Sequence, residues 1–224
     1  MKRLHLTLWS VGLLLFAQAA QADWTPAKRI TWASGNSFHP AVAVDSSGNP
    51  HVVWYNENLG QYAVYYKKST DGGATWTPGK RLTSTSGYCP AIAVDSSNNL
   101  HVVFHYDKPG NDEIYYKKSA DGGGTWSPNR RLTWNSGSSW APAVVVDPSD
   151  FLHVVCYDDS PGNDEIYYLS SADGGITWTS SQRLTWNSGW SRQPSIAASS
   201  SGDLHVVWYD KTTGKCEIFY KEGN

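Results

Sequence analysis

Four arginines recur on a near-constant spacing: Arg29, Arg81, Arg131 and Arg183 each open an Arg-Leu-Thr or Arg-Ile-Thr run. Brought together, guanidinium groups would clamp a carboxylate, because their planar fork offers parallel N–H donors. Four histidines, His51, His101, His153 and His205, follow one another at intervals of 50, 52 and 52 residues, and a ring of imidazoles would suit a metal ion. Asp71, Asp121 and Asp173 sit in matching Ser-x-Asp-Gly-Gly turns, where a carboxylate could serve calcium or acid catalysis.

Repetition argues against all three chemistries. Catalysis needs one constellation of unlike groups with shifted pKa values, whereas a repeat supplies the same group in every copy. A hairpin places Arg131 opposite about Glu113, Arg183 opposite about Glu165 and Arg29 opposite about Glu217. Such pairs are ordinary sheet-surface features contributing roughly 0.2 to 1 kcal/mol each. Arg81 faces Ala63 and is left free to bind. The histidines are expected half-buried and bonded to nearby carbonyls, and the aspartates bonded to the backbone of their own turns. No asymmetric nucleophile with its base stands out, and no cofactor or metal ligand set is expected.

The elements that carry these residues are short and extended. Leu100-His101-Val102-Val103-Phe104 has three near-copies, as does Glu113-Ile114-Tyr115-Tyr116. In the second unit, strand A covers 91–94, strand B 101–105, strand C 113–118 and strand D 126–134, bounded by Gly, Asn, Asp, Ser and Pro. Twelve Trp and 13 Tyr against five Phe and one Met also favour sheet. Four-stranded units of about 50 residues repeated around an axis make an all-β β-propeller, here of four blades of four antiparallel strands. The last unit lacks strand D, and a spare one, 24–32, stands at the N-terminus, so the ring is expected to close by pairing it with 217–220. A monomer follows from that closure; two chains sharing an eight-bladed ring would satisfy the same strand count.

Between strands C and D lie Ser69-x-Asp71-x-Gly73-x-Thr75-Trp76, Ser119-x-Asp121-x-Gly123-x-Thr125-Trp126 and Ser171-x-Asp173-x-Gly175-x-Thr177-Trp178. This pattern resembles the Asp-box, or BNR repeat, of sialidases and other secreted propellers, and the resemblance covers residues 23–224. It implies that these loops lie opposite the ligand face. It also raises glycoside hydrolysis through three arginines, a tyrosine nucleophile with its glutamate, and an aspartate acid. The family's Phe/Tyr-Arg-Ile-Pro motif is matched here only by Lys28-Arg29-Ile30-Thr31, so the catalytic residues do not carry over.

Variation between copies marks the expected ligand face. The D-to-A loops carry Phe38, Tyr88, Trp140 and Trp190, preceded in three units by Trp32, Trp134 and Trp186. The B-to-C side is acidic, with Asp107, Asp158 and Asp210, while Arg81 and Arg192 complete the candidate binding set. Aromatic platforms beside carboxylates and amides suit the faces and hydroxyl edges of a sugar. The same aromatics would serve equally to pack between blades.

Residues 1–22 read as an export signal: Lys2 and Arg3, an apolar run, then Ala20-Gln21-Ala22. The remainder carries a net charge of 16 − 20 = −4, which excludes a basic nucleic-acid footprint, and no further apolar run approaches a membrane span. Cys89, Cys156 and Cys216 have no metal spacing and allow one bridge at most. The expectation is an exported recognition module for a glycan or a cell-envelope partner, with a sialidase-like hydrolase and a protein-interaction scaffold as the alternatives.

Overall fold

The computed structural model describes residues 24–224 except Pro109; the proposed signal lies outside them. Four antiparallel sheets follow one another in chain order. Blade 1 contains β1 (Asn36–Val44), β2 (Pro50–Asn58), β3 (Gln61–Lys68) and β4 (Lys80–Arg81). Blade 2 contains β5 (Gly87–Val94), β6 (Leu100–Lys108), β7 (Asn111–Ser119) and β8 (Arg130–Arg131), and blade 3 β9 (Ser139–Val146), β10 (Leu152–Asp158), β11 (Glu165–Ser171) and β12 (Gln182–Arg183). Blade 4 has three strands, β13 (Ser191–Ala198), β14 (Leu204–Asp210) and β15 (Glu217–Gly223). The first strands of successive blades touch one another, so they are innermost and the fourth strands form the rim. Among the described residues no helix is long and apolar enough to cross a membrane.

The His-Val-Val run explains the stacking. Side chains alternate across a strand, so adjacent valines point into different inter-blade spaces. Val102 joins blade 1 residues in one cluster, and Val103 joins blade 3 residues in the next. The described residues form three such cores, between blades 1 and 2, 2 and 3, and 3 and 4. Phe104, Leu100, Ile114, Leu152 and Ile166 are fully buried in them.

The rim strands are shorter than their extended runs suggest because a side chain takes over the ladder. Past Arg81, the Leu82 N–H still donates to the Val64 carbonyl at 2.7 Å, but the Val64 N–H donates to the Thr83 hydroxyl at 3.0 Å. Thr133 and Thr185 repeat this on Ile114 and Ile166 at 2.9 Å.

The expected closure between 24–32 and 217–220 is not seen. Residues 24–32 form no strand, and among the described residues β15 has no partner beyond β14. The N-terminal segment instead rests on blade 1, where Lys67 donates to the Ile30 carbonyl at 2.7 Å and Lys28 to the Gly73 carbonyl at 3.2 Å.

The repeated groups build structure. Ser69 donates to Asp71 at 2.7 Å, and the Gly73 and Thr75 N–H groups donate to Ser69 and Asp71 at 2.8 Å each. Bonds from Thr75 and Ser69 hold the exposed Asp71 carboxyl down at about 2. Ser119, Asp121 and Thr125, and Ser171, Asp173 and Thr177, repeat the arrangement. Trp126 and Trp178 lie edge-on to Tyr66 and Tyr116 of the preceding blade, at 5.1 and 5.2 Å. The histidines bond to side chains rather than to carbonyls. His51 shares a hydrogen bond with Tyr66 at 2.7 Å and lies 3.4 Å from Asp45; His101 does the same with Tyr116 at 2.8 Å and Asp95 at 3.1 Å.

The arginine pairs are not surface features either. Glu113 and Glu165 are 1% and 0% exposed. Arg183 reaches Glu165 at 2.7 Å, Asn163 adds a bond at 3.1 Å, and the Thr185 hydroxyl donates as well. Arg131, Asn111 and Thr133 do the same for Glu113. The cross-strand register places Arg131 opposite Tyr115, so the guanidinium reaches along the strand to its carboxylate.

Candidate functional site

Near its outset each innermost strand carries an X-Pro dipeptide: His39-Pro40, Cys89-Pro90, Ala141-Pro142 and Gln193-Pro194. Proline cannot donate to the ladder, and at each one the pairing register slips. The residues before proline take φ of 47°, 43°, 45° and 53°. This left-handed region is strained for a non-glycine residue, by about 1 to 3 kcal/mol. All eight residues line one cavity of about 160 Å³ on the axis. The four bulges thus lie together round one axial mouth.

The residue ahead of each dipeptide sits opposite an upper residue of the second strand, giving Phe38 with Tyr55, Tyr88 with His105, Trp140 with Tyr157, and Arg192 with Tyr209. Three of these pairs bring rings to 5.4, 5.0 and 5.4 Å. Neighbouring blades extend the belt: Tyr55 meets Tyr88 at 5.7 Å, and Arg192 lies 5.9 Å from the Tyr157 ring. A third position, at the start of each blade's third strand or just before it, changes chemistry from blade to blade. Tyr62 stacks near Tyr88 at 4.7 Å, Asp112 accepts from Trp140 Nε1 at 2.7 Å, and Asp164 accepts from Arg192.

The mouth is therefore an arc of apolar faces with hydroxyl, indole, carboxylate and guanidinium edges. Burial pushes the Cys89 thiol up to about 11 and the Tyr157 hydroxyl up to about 12, so both stay neutral at physiological pH. Burial also pushes the Asp112 carboxyl up, against the Trp140 bond, with Asp107 adding to the rise.

His105 is buried, its Nδ1 has no hydrogen-bond partner, and burial holds the imidazole down at about 4. Its folded pKa lies below the unfolded 6.5, so this stability is complete above pH 6.5 and is lost as pH falls towards 4. Between pH 7 and pH 5 the loss from His105 alone is about 2 kcal/mol. Urea unfolding midpoints should fall over that interval, and His105→Gln should remove the His105 share of the fall, leaving that of the buried His51 and His101; a variant as acid-sensitive as the parent would contradict it.

The sequence-derived candidates divide into three groups. Phe38, Tyr88, Trp140 and Arg192 come together at the mouth, with Trp190 stacked beside Arg192 at 4.5 Å and beside Lys211 at 4.8 Å. Trp190 is thus not the fourth member of the aromatic series; Arg192 holds that position. Trp32, Trp134 and Trp186 lie apart near the rim, more than 65% exposed and covered on one face by Arg29, Arg131 and Arg183. Arg81 is turned onto the Thr83 carbonyl at 2.8 Å and the Ser84 carbonyl. Asp107 is exposed. Asp158 and Asp210 are fully buried and organise loops, accepting from Ser139 at 2.6 Å and from Ser191 at 2.7 Å. Sequence reasoning passed over Tyr55, Tyr62, His105, Tyr157, Tyr209, Asp112 and Asp164. The X-Pro dipeptides, read in register, would have found the arc. Among the described residues no three His, Cys, Asp or Glu side chains gather in a metal-binding group, and the three cysteines are free.

No known family's sequence profile matches the chain, and no curated protein matches it in sequence. Solved structures do match. A Hadza microbial sialidase, Hz136, superposes with a TM-score of 0.67 at 16% identity, covering 83% of this chain and 44% of that one. A protein of unknown function from Dyadobacter fermentans gives 0.70 at 16% identity over 90% and 65%. A polysaccharide lyase of family PL25, an ulvan lyase, gives 0.62 at 13% over 83% and 55%. The chain spans less than two thirds of the length of each. With four stacked antiparallel sheets, inter-blade cores and these superpositions, the chain has the sialidase-like β-propeller fold.

Proposed function

We propose that the chain is an exported recognition module that binds a glycan of the cell envelope or its surroundings at the axial mouth. The observation that carries this reading is the belt of partly exposed aromatic faces flanked by Asp112, Asp164 and Arg192. Sugars present apolar ring faces and hydroxyl edges, which such a belt complements without any ionised nucleophile. A sialidase and a polysaccharide lyase share the fold, and both names denote carbohydrate enzymes. The rim arginines support recognition over hydrolysis here: they are committed to their own Thr carbonyls and to tryptophan faces, while Arg192 is held by Asp164.

A glycan array probed with the parent, Trp140→Ala, Arg192→Ala and the rim variant Trp134→Ala tests the reading. The first two substitutions should each weaken binding at least about tenfold, or roughly 1.4 kcal/mol, while the rim variant binds like the parent. Equal losses at rim and mouth, or no glycan bound at all, would overturn it. Release of product from a fluorogenic sialoside, abolished by Arg192→Ala, would replace it with a hydrolase.

A further inference from the structure

The two ends of the blade series carry complementary surfaces that no described residue covers. Residues 24–32 already make the contacts of a fourth strand with the blade that follows it. Lys67 holds the Ile30 carbonyl as Lys221 holds that of Leu184, at 2.7 and 2.9 Å. Lys28 reaches the Ala74 carbonyl as Lys80 reaches that of Gly124. Arg29 Nε donates to the Thr31 carbonyl at 2.6 Å, as Arg131 and Arg183 do to Thr133 and Thr185. What this segment lacks is the third strand on its other edge, which in blades 2 and 3 brings a buried glutamate to the Arg and Thr side chains. Glu217, the matching glutamate of β15, is exposed and carries neither partner.

A second complementarity involves Tyr220. The Tyr66 and Tyr116 hydroxyls donate to the Gly122 and Gly174 carbonyls of the next blade, at 3.1 and 3.4 Å, and their rings fill the space where a Cβ on Gly123 or Gly175 would lie. Tyr220 is 56% exposed, and the space over Gly73 is empty to 4 Å. Ile218 is also bare at one end and Val42 at the other, at 77% and 63% exposure.

We infer that these surfaces meet between two copies of this chain, β15 of each pairing with residues 24–32 of the other, so that two chains close one ring of eight blades. Within one chain the two surfaces do not meet, although all three inter-blade cores are packed. A head-to-tail contact must close or propagate, and two copies give eight blades, the upper end of the usual range of about four to eight.

Sedimentation equilibrium of the purified chain at micromolar concentration should return twice the chain mass. One chain mass at every concentration, or an open-ended series, would overturn the inference. Arg29→Glu alone and Glu217→Arg alone each place like charges at both junctions, and each should weaken association at least tenfold with an unchanged circular dichroism spectrum. An equimolar mixture of the two variants places one opposite-charge pair at each junction and should recover the two-chain mass. If folded variants stay apart on mixing, the interface is wrong; should either variant fail to fold, the parent's mass decides alone.

Discussion

Gly123→Ala is expected to destabilise the protein by about 4 kcal/mol, and Gly73→Ala by about half as much, in denaturant unfolding at concentrations where single chains predominate. The two glycines occupy the same place in the repeat and share a φ of 90°, so the left-handed strain of about 1 to 3 kcal/mol is common to both. They differ in what stands over them. A Cβ on Gly123 would overlap the Tyr66 ring, whereas nothing lies within 4 Å of one on Gly73. Tyr66 cannot retreat cheaply, being 2% exposed and bonded to both His51 and Gly122. The difference between the two variants therefore measures one inter-blade contact with the backbone effect removed. Equal losses would mean that Tyr66 does not seal the junction between blades 1 and 2.

The second large effect concerns the buried carboxylate of blade 2. Arg131→Met should cost about 3 kcal/mol, because it leaves Glu113 buried with only the Thr133 and Asn111 bonds to hold its charge. Even with the guanidinium present, burial pushes the Glu113 carboxyl above its ordinary 4.5, and removing Arg131 moves it further in that direction. A carboxyl whose folded pKa is raised favours the folded state at low pH, and this contribution is lost as pH rises from 4.5 through the folded value. The deficit of the variant relative to the parent should accordingly shrink on acidification below about pH 5. Adding Glu113→Gln should restore much of the loss at pH 7. A cost under about 1 kcal/mol, unchanged with pH, would put the pair among ordinary exposed ion pairs.

The contrast between Glu113 and its sequence-based description shows where local reasoning stops. The strand runs, the turn built on Ser69, Asp71, Gly73 and Thr75, and the antiparallel order of each blade were legible because they depend on neighbours within about 20 residues. The burial of Glu113 was not, because it depends on the next blade covering it. Trp190 was placed in the aromatic series by residue type, whereas position is set by the proline bulge, which puts Arg192 there instead. The alternation of Tyr62, Asp112 and Asp164 was likewise hidden, since these residues acquire meaning only against the first strand of the following blade. The matched groups of residues 24–32 and β15 were readable as edge chemistry. Whether the ends meet within one chain depends on the angle between blades, which the side chains filling the inter-blade cores set, among them Phe104 and Tyr106.

The three separate inter-blade cores have a mechanical corollary. Because each sheet is gripped only by its immediate neighbours, cohesion accumulates junction by junction along the chain instead of being pooled in one interior, as in stacked-repeat proteins. Blades 2 and 3 are clasped from both sides, and a defect in either is felt twice. The terminal sheets of a single chain are clasped by one neighbouring blade each, so disorder enters from the extremities and travels inward.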